Sequence, residues 1–418
     1  MTATLAPDLA ADQISRQRRA DRIVAQSVLS RISTLRRVRG CRRTSVLPGG
    51  AVNVGATGHA ASGDRRGSYM GLATCGSVWC CPECASVILV ERQRELELAF
   101  EEWERRGQRI ALATFTLRHT AADSLTDVWD AVSYAWSAAR SGRGWFRDQQ
   151  AYGVRRLTVC RDHKATGYAF GDLHAACGCC VSDRRIDWVR VVEVTVGGHG
   201  WHVHVHAALF VSADFDDRSA RLLHASMFAR WQAAVERRGF TALDINTMTL
   251  ARARDNRHDV WDSNLAAYVT KGRYRSMAEI AAAETSRGDM KIAHLGNRTP
   301  FVLLAGLVDE VGRKGDRALW REWEHGSLGR RQFSWSRGLR EDLLPGLVER
   351  TNEEIVADTE GVDAVVSIPR EGWATILREG LRAAVLDAVE CDDTGDMLRD
   401  CLDAWGVPWG APVVTAAC

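Results

Sequence analysis

No stretch of this 418-residue chain approaches the roughly 18 consecutive apolar residues that a membrane-spanning helix requires. The first residues, MTATLAPDLAADQ, also lack a basic segment followed by an apolar one, so a cytoplasmic protein is expected and a membrane protein is not. Net charge is nearly absent too, at +2, and by itself points to no class of partner. The distribution of charge says more. Ten arginines lie between Arg16 and Arg43 against the single acid Asp21, whereas from Glu353 to Asp403 acids outnumber arginines by more than three to one. A basic arm and an acidic tail therefore cancel in the total, and the arm is a candidate surface for a polyanion.

The length suggests two or three domains. The twelve cysteines are clustered, which in a chain without a secretory signal favours metal binding over disulfides. Cys81 and Cys84 form a Cys-x-x-Cys pair, with Cys75 just upstream and Cys41 further back. These four thiols are the set that a closed structural zinc site needs, and Cys80 is left over. Cys160 with His163, and His174 with Cys177, repeat one spacing inside a Gly-rich segment and are candidates for a second zinc site.

Residues 1 to about 20 read as disordered and 23–35 as a helix. Pro48 to Gly71 shows no periodicity. A helix is expected over 85–106, a strand over 109–119, a helix over 123–140, strands over 188–196 and 201–210, a helix over 216–238, a strand over 243–248 and a helix from about Asp262. Strand, helix, strand, strand, helix, strand is the order of a ferredoxin-like unit, so the fold class expected is α+β with a central antiparallel sheet.

The most informative stretch is Trp201-His202-Val203-His204-Val205-His206. Alternation puts the three imidazoles on one face of a strand and the valines on the other. If the Gly-rich link 197–200 turns at Gly198-His199, paired residues sum to 397 and Glu193 faces His204. Two imidazoles and a carboxylate leave coordination positions open for a substrate oxygen and suit Mn²⁺ or Mg²⁺. Tyr268 and Lys271 share one side of the last expected helix, where a phenol and an ammonium would complete a phosphoryl-transfer site. Spacing alone does not single out Tyr268 among the six tyrosines.

Taken in order, these motifs resemble the HUH endonucleases, specifically the rolling-circle replication initiators of small bacterial plasmids. The resemblance covers most of residues 36–340. It rests on the Cys75–Cys84 segment, Thr114-Phe-Thr-Leu-Arg118, Leu125-Thr-Asp-Val-Trp-Asp with Ser141-Gly-Arg-Gly-Trp145, Glu193-Val-Thr, the histidine strand, Ala267-Tyr268-Val-Thr-Lys271, and Gly329-Arg-Arg-Gln-Phe-Ser-Trp-Ser-Arg-Gly-Leu339. It implies nicking of origin DNA at a single-stranded or hairpin site. Tyr268 would become joined to the 5′-phosphate, and a host helicase and polymerase would follow. It implies His204 and His206 as metal ligands, Glu193 as the third, and His202 as an alternative. Arg36, Arg37, Arg39, Arg42, Arg43 and Arg118 are the expected DNA-binding arginines. Some relatives carry glutamate where this chain has Asn264, so Asp262, Asp259 or a second strand transfer would have to serve the closing step.

The organisation expected is a basic arm (1–40), a zinc knuckle and helix (41–106), a nuclease domain (107–275) with a Cys/His-rich insertion (160–187), a helical extension (276–345) and an acidic tail region (346–418); a homodimer is compatible with it. Competing readings are an HUH transposase or relaxase, a non-catalytic zinc-containing DNA-binding regulator, and a metal-dependent hydrolase of small phosphate esters.

Overall fold

The computed structural model describes residues 5–158, 181–242, 248–252, 297–308 and 314–413. Its centre is a five-stranded antiparallel sheet built from β3 (Arg109–Phe115), β6 (Asp187–Gly197), β7 (Gly200–Val211), β8 (Met248–Arg252) and β9 (Phe333–Trp335), in the order β8-β3-β7-β6-β9. The protein is thus α+β. The β6–β7 hairpin has the register the sequence predicts, with Glu193 opposite His204 and Gly197 opposite Gly200. Gly200 is required twice over: its φ is +88°, and a Cβ there would stand 2.7 Å from the Thr120 carbonyl oxygen. The expected strand over 243–248 lies outside the described residues except for Met248, where β8 begins and pairs along β3.

Side chains alternate across this sheet, and each face has its own cover. Val192, Val194, Val203, Val205 and Leu209 pack into one core with α4 (Leu125–Ala139) and α6 (Asp217–Glu236) through Val128, Val132, Trp136, Met227 and Trp231. On the reverse face, Val189, Val191, Ala208 and Phe210 meet Leu96, Phe100 and Trp103 of α3 (Pro82–Arg105). That cover stops short of the histidines. Helix α3 starts where the sequence suggests, with Cys81 at its N-cap accepting from the Cys84 N–H and Pro82 in its first turn. Helix α5 (Gly142–Tyr152) follows α4 directly and leads into the hairpin β4 (Val154–Thr158) and β5 (Val181–Arg185).

Both ends of the chain depart from expectation. Residues read as disordered begin α1 (Leu5–Ile32), followed by α2 (Arg36–Gly40). Ile23, Ala25, Val28 and Leu29 of α1 are buried, which anchors the helix. The stretch without periodicity holds β1 (Val52–Thr57) and β2 (Arg66–Met70), joined by β10 (Asp363–Ile368) into a second sheet of order β10-β1-β2. Helices α11 (Arg370–Glu379), α12 (Arg382–Val389) and α13 (Asp396–Ala404) share its core: Val52, Val54 and Tyr69 pack with Val366, Trp373, Ile376, Val385 and Leu398.

The acidic C-terminal segment is therefore the partner of the N-terminal segment. Arg19 binds Glu390 and, at 2.5 Å, Asp387. Arg65 contacts Asp393 at 3.3 Å. Arg382, 2% exposed, makes a two-pronged ion pair with Glu83 at 3.0 and 2.6 Å, fastening this unit to the first turn of α3.

Candidate metal and nucleic-acid site

Four cysteines, Cys41, Cys75, Cys81 and Cys84, come together as the sequence predicts, all buried. Cys41 ends α2. Arg42 adopts a left-handed φ of 55° and donates its N–H to the Ala73 carbonyl, which brings the Cys41 and Cys75 segments side by side. The sulfur–sulfur distances are 3.4 Å for Cys41–Cys84, 3.7 Å for Cys75–Cys84 and 3.6 Å for Cys81–Cys41. Thiolates about one tetrahedral ion with metal–sulfur bonds near 2.3 Å sit about 3.8 Å apart, so the donors fit a metal. The three neighbouring thiols hold Cys84 well below the usual thiol range, while burial pushes Cys81 up. Cys80 stays outside the group: burial raises it to about 12, and its sulfur lies 3.4 Å from the Ser327 hydroxyl.

The second group is Glu193, His204 and His206, whose ligand atoms lie within 4.8 Å of one another. β7 is the middle strand of the three that build the site. β6 supplies Glu193 on one flank, and β3 supplies Thr114 and Thr116 on the other. The Thr114 hydroxyl lies 3.1 Å from His206 Nδ1, and His206 Nε2 lies 3.1 Å from Glu193 Oε2. His206 thus has Nδ1 fixed by the fold and turns Nε2 to the carboxylate, the second-sphere arrangement that orients a metal-binding imidazole. His204 Nε2 is buried with no hydrogen-bond partner among the described residues. An unsatisfied buried imidazole nitrogen beside a carboxylate is what a ligand to an absent ion leaves behind.

His202 is differently placed. Its Nε2 is 3.1 Å from the Thr116 hydroxyl and its Nδ1 is 2.6 Å from His119 Nε2, so both nitrogens are engaged. His119 in turn is anchored through Nδ1 to the His199 carbonyl at 2.8 Å. Burial, reinforced by His119, lowers His202 to about 4. Burial, reinforced by His202 and His206, lowers His204 to about 3. Both are neutral near pH 7 and hold lone pairs.

His119, Thr114 and Thr116 were not singled out by sequence reasoning. The threonines carry a signal in their alternation with Ala113, Phe115 and Leu117, which puts them on one face; His119 carries none beyond lying at the end of a predicted strand. Beside Glu193 a small cleft opens, lined by Val78, Trp79, Thr299, Pro300, Phe301 and Trp323 among others.

Of the expected DNA-binding arginines, Arg36, Arg37, Arg39 and Arg118 are exposed. Arg37 pairs with Glu353 at 3.3 Å, Arg42 donates to the Val356 carbonyl and Arg43 to the Ser27 hydroxyl. Tyr268, Lys271, Asn264, Asp262 and Asp259, together with Cys160, His163, His174 and Cys177, lie outside the described residues.

No protein-family model and no solved structure matches the chain. Among curated proteins it is 31% identical over 366 residues to "Protein rep" of Streptomyces lividans, which covers 78% of this chain and 76% of that protein. The chain belongs to the plasmid Rep protein family. This Rep protein also matches a neomycin resistance protein of Streptomyces cyanogenus, at 34% identity over 147 residues, or 34% of this chain and 31% of that protein. Among the described residues of the Rep chain, no helix is long and apolar enough to cross a membrane.

Proposed function

We propose that this Rep protein is an HUH endonuclease that initiates rolling-circle replication by nicking one strand of its plasmid origin. The observation that carries the reading is the Glu193, His204 and His206 donor set, with His204 Nε2 buried and unpartnered, in a chain of the Rep family. The strand order β8-β3-β7-β6, antiparallel throughout with α4 and α6 on one face, supports a ferredoxin-like βαββαβ core.

Glu193, His204 and His206 would hold Mn²⁺ or Mg²⁺, with His202 as a positioning neighbour, and the cysteine group would hold Zn²⁺. When bound, the divalent ion supplies Lewis-acid polarisation of the scissile phosphate. The Tyr268 phenol oxygen attacks phosphorus, the P–O3′ bond breaks, and the departing oxygen takes a proton to become a 3′-hydroxyl for a host polymerase, with a host helicase opening the duplex. Lys271, three positions on in the sequence, steadies the phenolate and the phosphate charge. The phosphotyrosine keeps the bond energy, so rejoining needs no nucleotide. Asn264 cannot act as a base, so closure falls to Asp262, Asp259 or a second transfer to DNA.

The test is incubation of the full chain with Mn²⁺ and single-stranded oligonucleotides carrying the cognate origin, followed by a search for a protein–DNA adduct that survives SDS. The wild type should form it and Tyr268→Phe should not. Adduct from Tyr268→Phe at the wild-type level would remove Tyr268 as nucleophile.

A further inference from the structure

On the face of β6 opposite Glu193, a cluster of cationic and donor side chains stands without a matching acid. Arg140, at the C-terminal end of α4, lies between two indoles, its guanidinium carbon 4.3 Å from the Trp136 ring and 4.0 Å from the Trp188 ring. Arg190 lies two residues along β6 from Trp188 and bonds the Ser334 hydroxyl of β9 at 3.2 Å. Arg331, in the adjoining segment, is exposed and by the β6–β9 register falls opposite Glu193, on the other face. Neither Arg140 nor Arg190 has a carboxylate partner among the described residues. Burial, with Arg190 adding repulsion, lowers Arg140 to about 9; burial, with Arg331 adding repulsion, lowers Arg190.

Unsatisfied buried polar atoms occur here as well. Nε of Arg140, Nε of Arg190 and the indole Nε1 of Trp136 are buried without partners, as are both amide atoms of Gln332, which is 3% exposed. Gln332 shares the strand parity of Ser334, which is opposite Arg190. Buried cations and donors with nothing to accept from them are costly in isolation and are offset by an anion. Three other buried arginines do have acids: Arg382 has Glu83, Arg340 has Glu95 and Arg298 has Asp316.

We infer that Arg140 and Arg190, with the buried amide of Gln332, form a phosphate-binding site on the helix-covered side of the sheet edge, separate from the metal site on the other face of β6. Arginine is the side chain suited to phosphate, since its planar fork donates two bonds at once and stays charged when half buried. The phosphate comes either from a DNA backbone that passes round the β6–β9 edge or from a free nucleotide. The inference rests on charge and burial and does not depend on the nicking reading.

The experiment uses the full chain with no divalent metal added, so that nicking does not intervene. Binding of a fluorescent single-stranded oligonucleotide of unrelated sequence is followed by anisotropy from 50 to 200 mM salt, and melting is followed with and without dATP and pyrophosphate. If the site takes DNA, Arg190→Gln and Arg140→Gln should each remove one phosphate contact, making affinity about threefold less salt-sensitive over that range. If the source is a free nucleotide, dATP or pyrophosphate should raise the melting temperature of the wild type and not of the variants, with DNA binding unaltered. Gln332→Leu, which removes an unpaired buried amide at similar volume, keeps the test valid should the two arginine substitutions impair folding, because it should weaken binding of the phosphate from either source. Variants that leave the affinity, its salt dependence and the phosphate-induced shift at wild-type values would overturn the site.

Discussion

Replacing Thr114 with valine tests the metal reading without touching a ligand. The Thr114 hydroxyl lies 3.1 Å from His206 Nδ1 and is the described contact that fixes which nitrogen of His206 faces Glu193. Valine keeps the shape and the strand preference of threonine in β3, where this residue pairs with His206 across the sheet. The fold should therefore survive while the imidazole loses the contact that orients it. Loss of a second-sphere hydrogen bond to a metal-bound histidine costs about 10- to 100-fold in metal affinity, or about 1.4–2.7 kcal/mol. The assay is calorimetric titration of Mn²⁺ into metal-free wild type and Thr114→Val. Thr116→Val is the control, since Thr116 supports His202, whose two nitrogens are already engaged. Its affinity should stay within about threefold of wild type. Equal losses in the two variants would refute the assignment and make His202 a ligand; no loss in Thr114→Val would mean that His206 does not bind through Nε2.

Three further outcomes are expected. Cys81→Ser should lower the zinc content of purified protein and abolish cooperative unfolding of the knuckle, because a structural zinc site is worth about 10–16 kcal/mol against a total stability of about 5–15 kcal/mol; unchanged metal content would dismiss the site. Glu83→Gln should cost about 3–5 kcal/mol in urea unfolding by stranding the buried Arg382, and Glu83→Leu with Arg382→Met should recover most of it; a double variant as unstable as the single one would show that packing, not charge, sets the cost. His202 and His204 titrate at about 4 and about 3 in the fold but near 6.5 when unfolded, so the unfolded chain binds more protons between those values. Metal-free stability should then fall as pH drops below about 6.5, by about 1–2 kcal/mol per histidine at pH 5, and urea curves that coincide at pH 7.5 and 5.0 would contradict it.

What the sequence disclosed and what it hid follow from the range of the interactions involved. The β6–β7 register was legible because alternation on both sides of a short Gly-rich link leaves one pairing that buries the valines. The cysteine group was legible because few residues can serve as ligands and their spacing is constrained. The first part of the helix over 5–32, before the helix read from residue 23, was not, because a string of arginines reads as solvated until the acids that neutralise it are located, and Asp387 and Glu390 lie more than 360 positions away. The hairpin β1–β2 was hidden by its glycines. Gly55 suggests a loop, yet a Cβ there would stand 2.2 Å from the Asp363 carbonyl oxygen, so the glycine serves the close approach of β10. The engagement of His202 with His119 depends on how β3 runs on beyond Phe115, which periodicity in one strand does not specify.

The indoles connect the two metal-competent groups. Trp79, in the cysteine segment, makes edge-to-face contacts with Trp129 of α4 at 5.1 Å and with Trp323 of α8 (Asp316–Gly326) at 5.5 Å. Trp323 stacks at 5.8 Å on Trp201, the residue that opens the histidine strand, and donates its indole N–H to the Trp79 carbonyl. Trp79 returns the link to the Arg330 carbonyl. A displaced knuckle would move this stack, and with it the start of β7 and the cleft beside Glu193, which Trp79 and Trp323 both line. Rigid aromatic packing transmits such shifts because it has no slack to absorb them. The cysteine group therefore bears on the metal site without contacting it, and loss of its ion should weaken Mn²⁺ binding at Glu193 and His206 even where β6 and β7 remain paired.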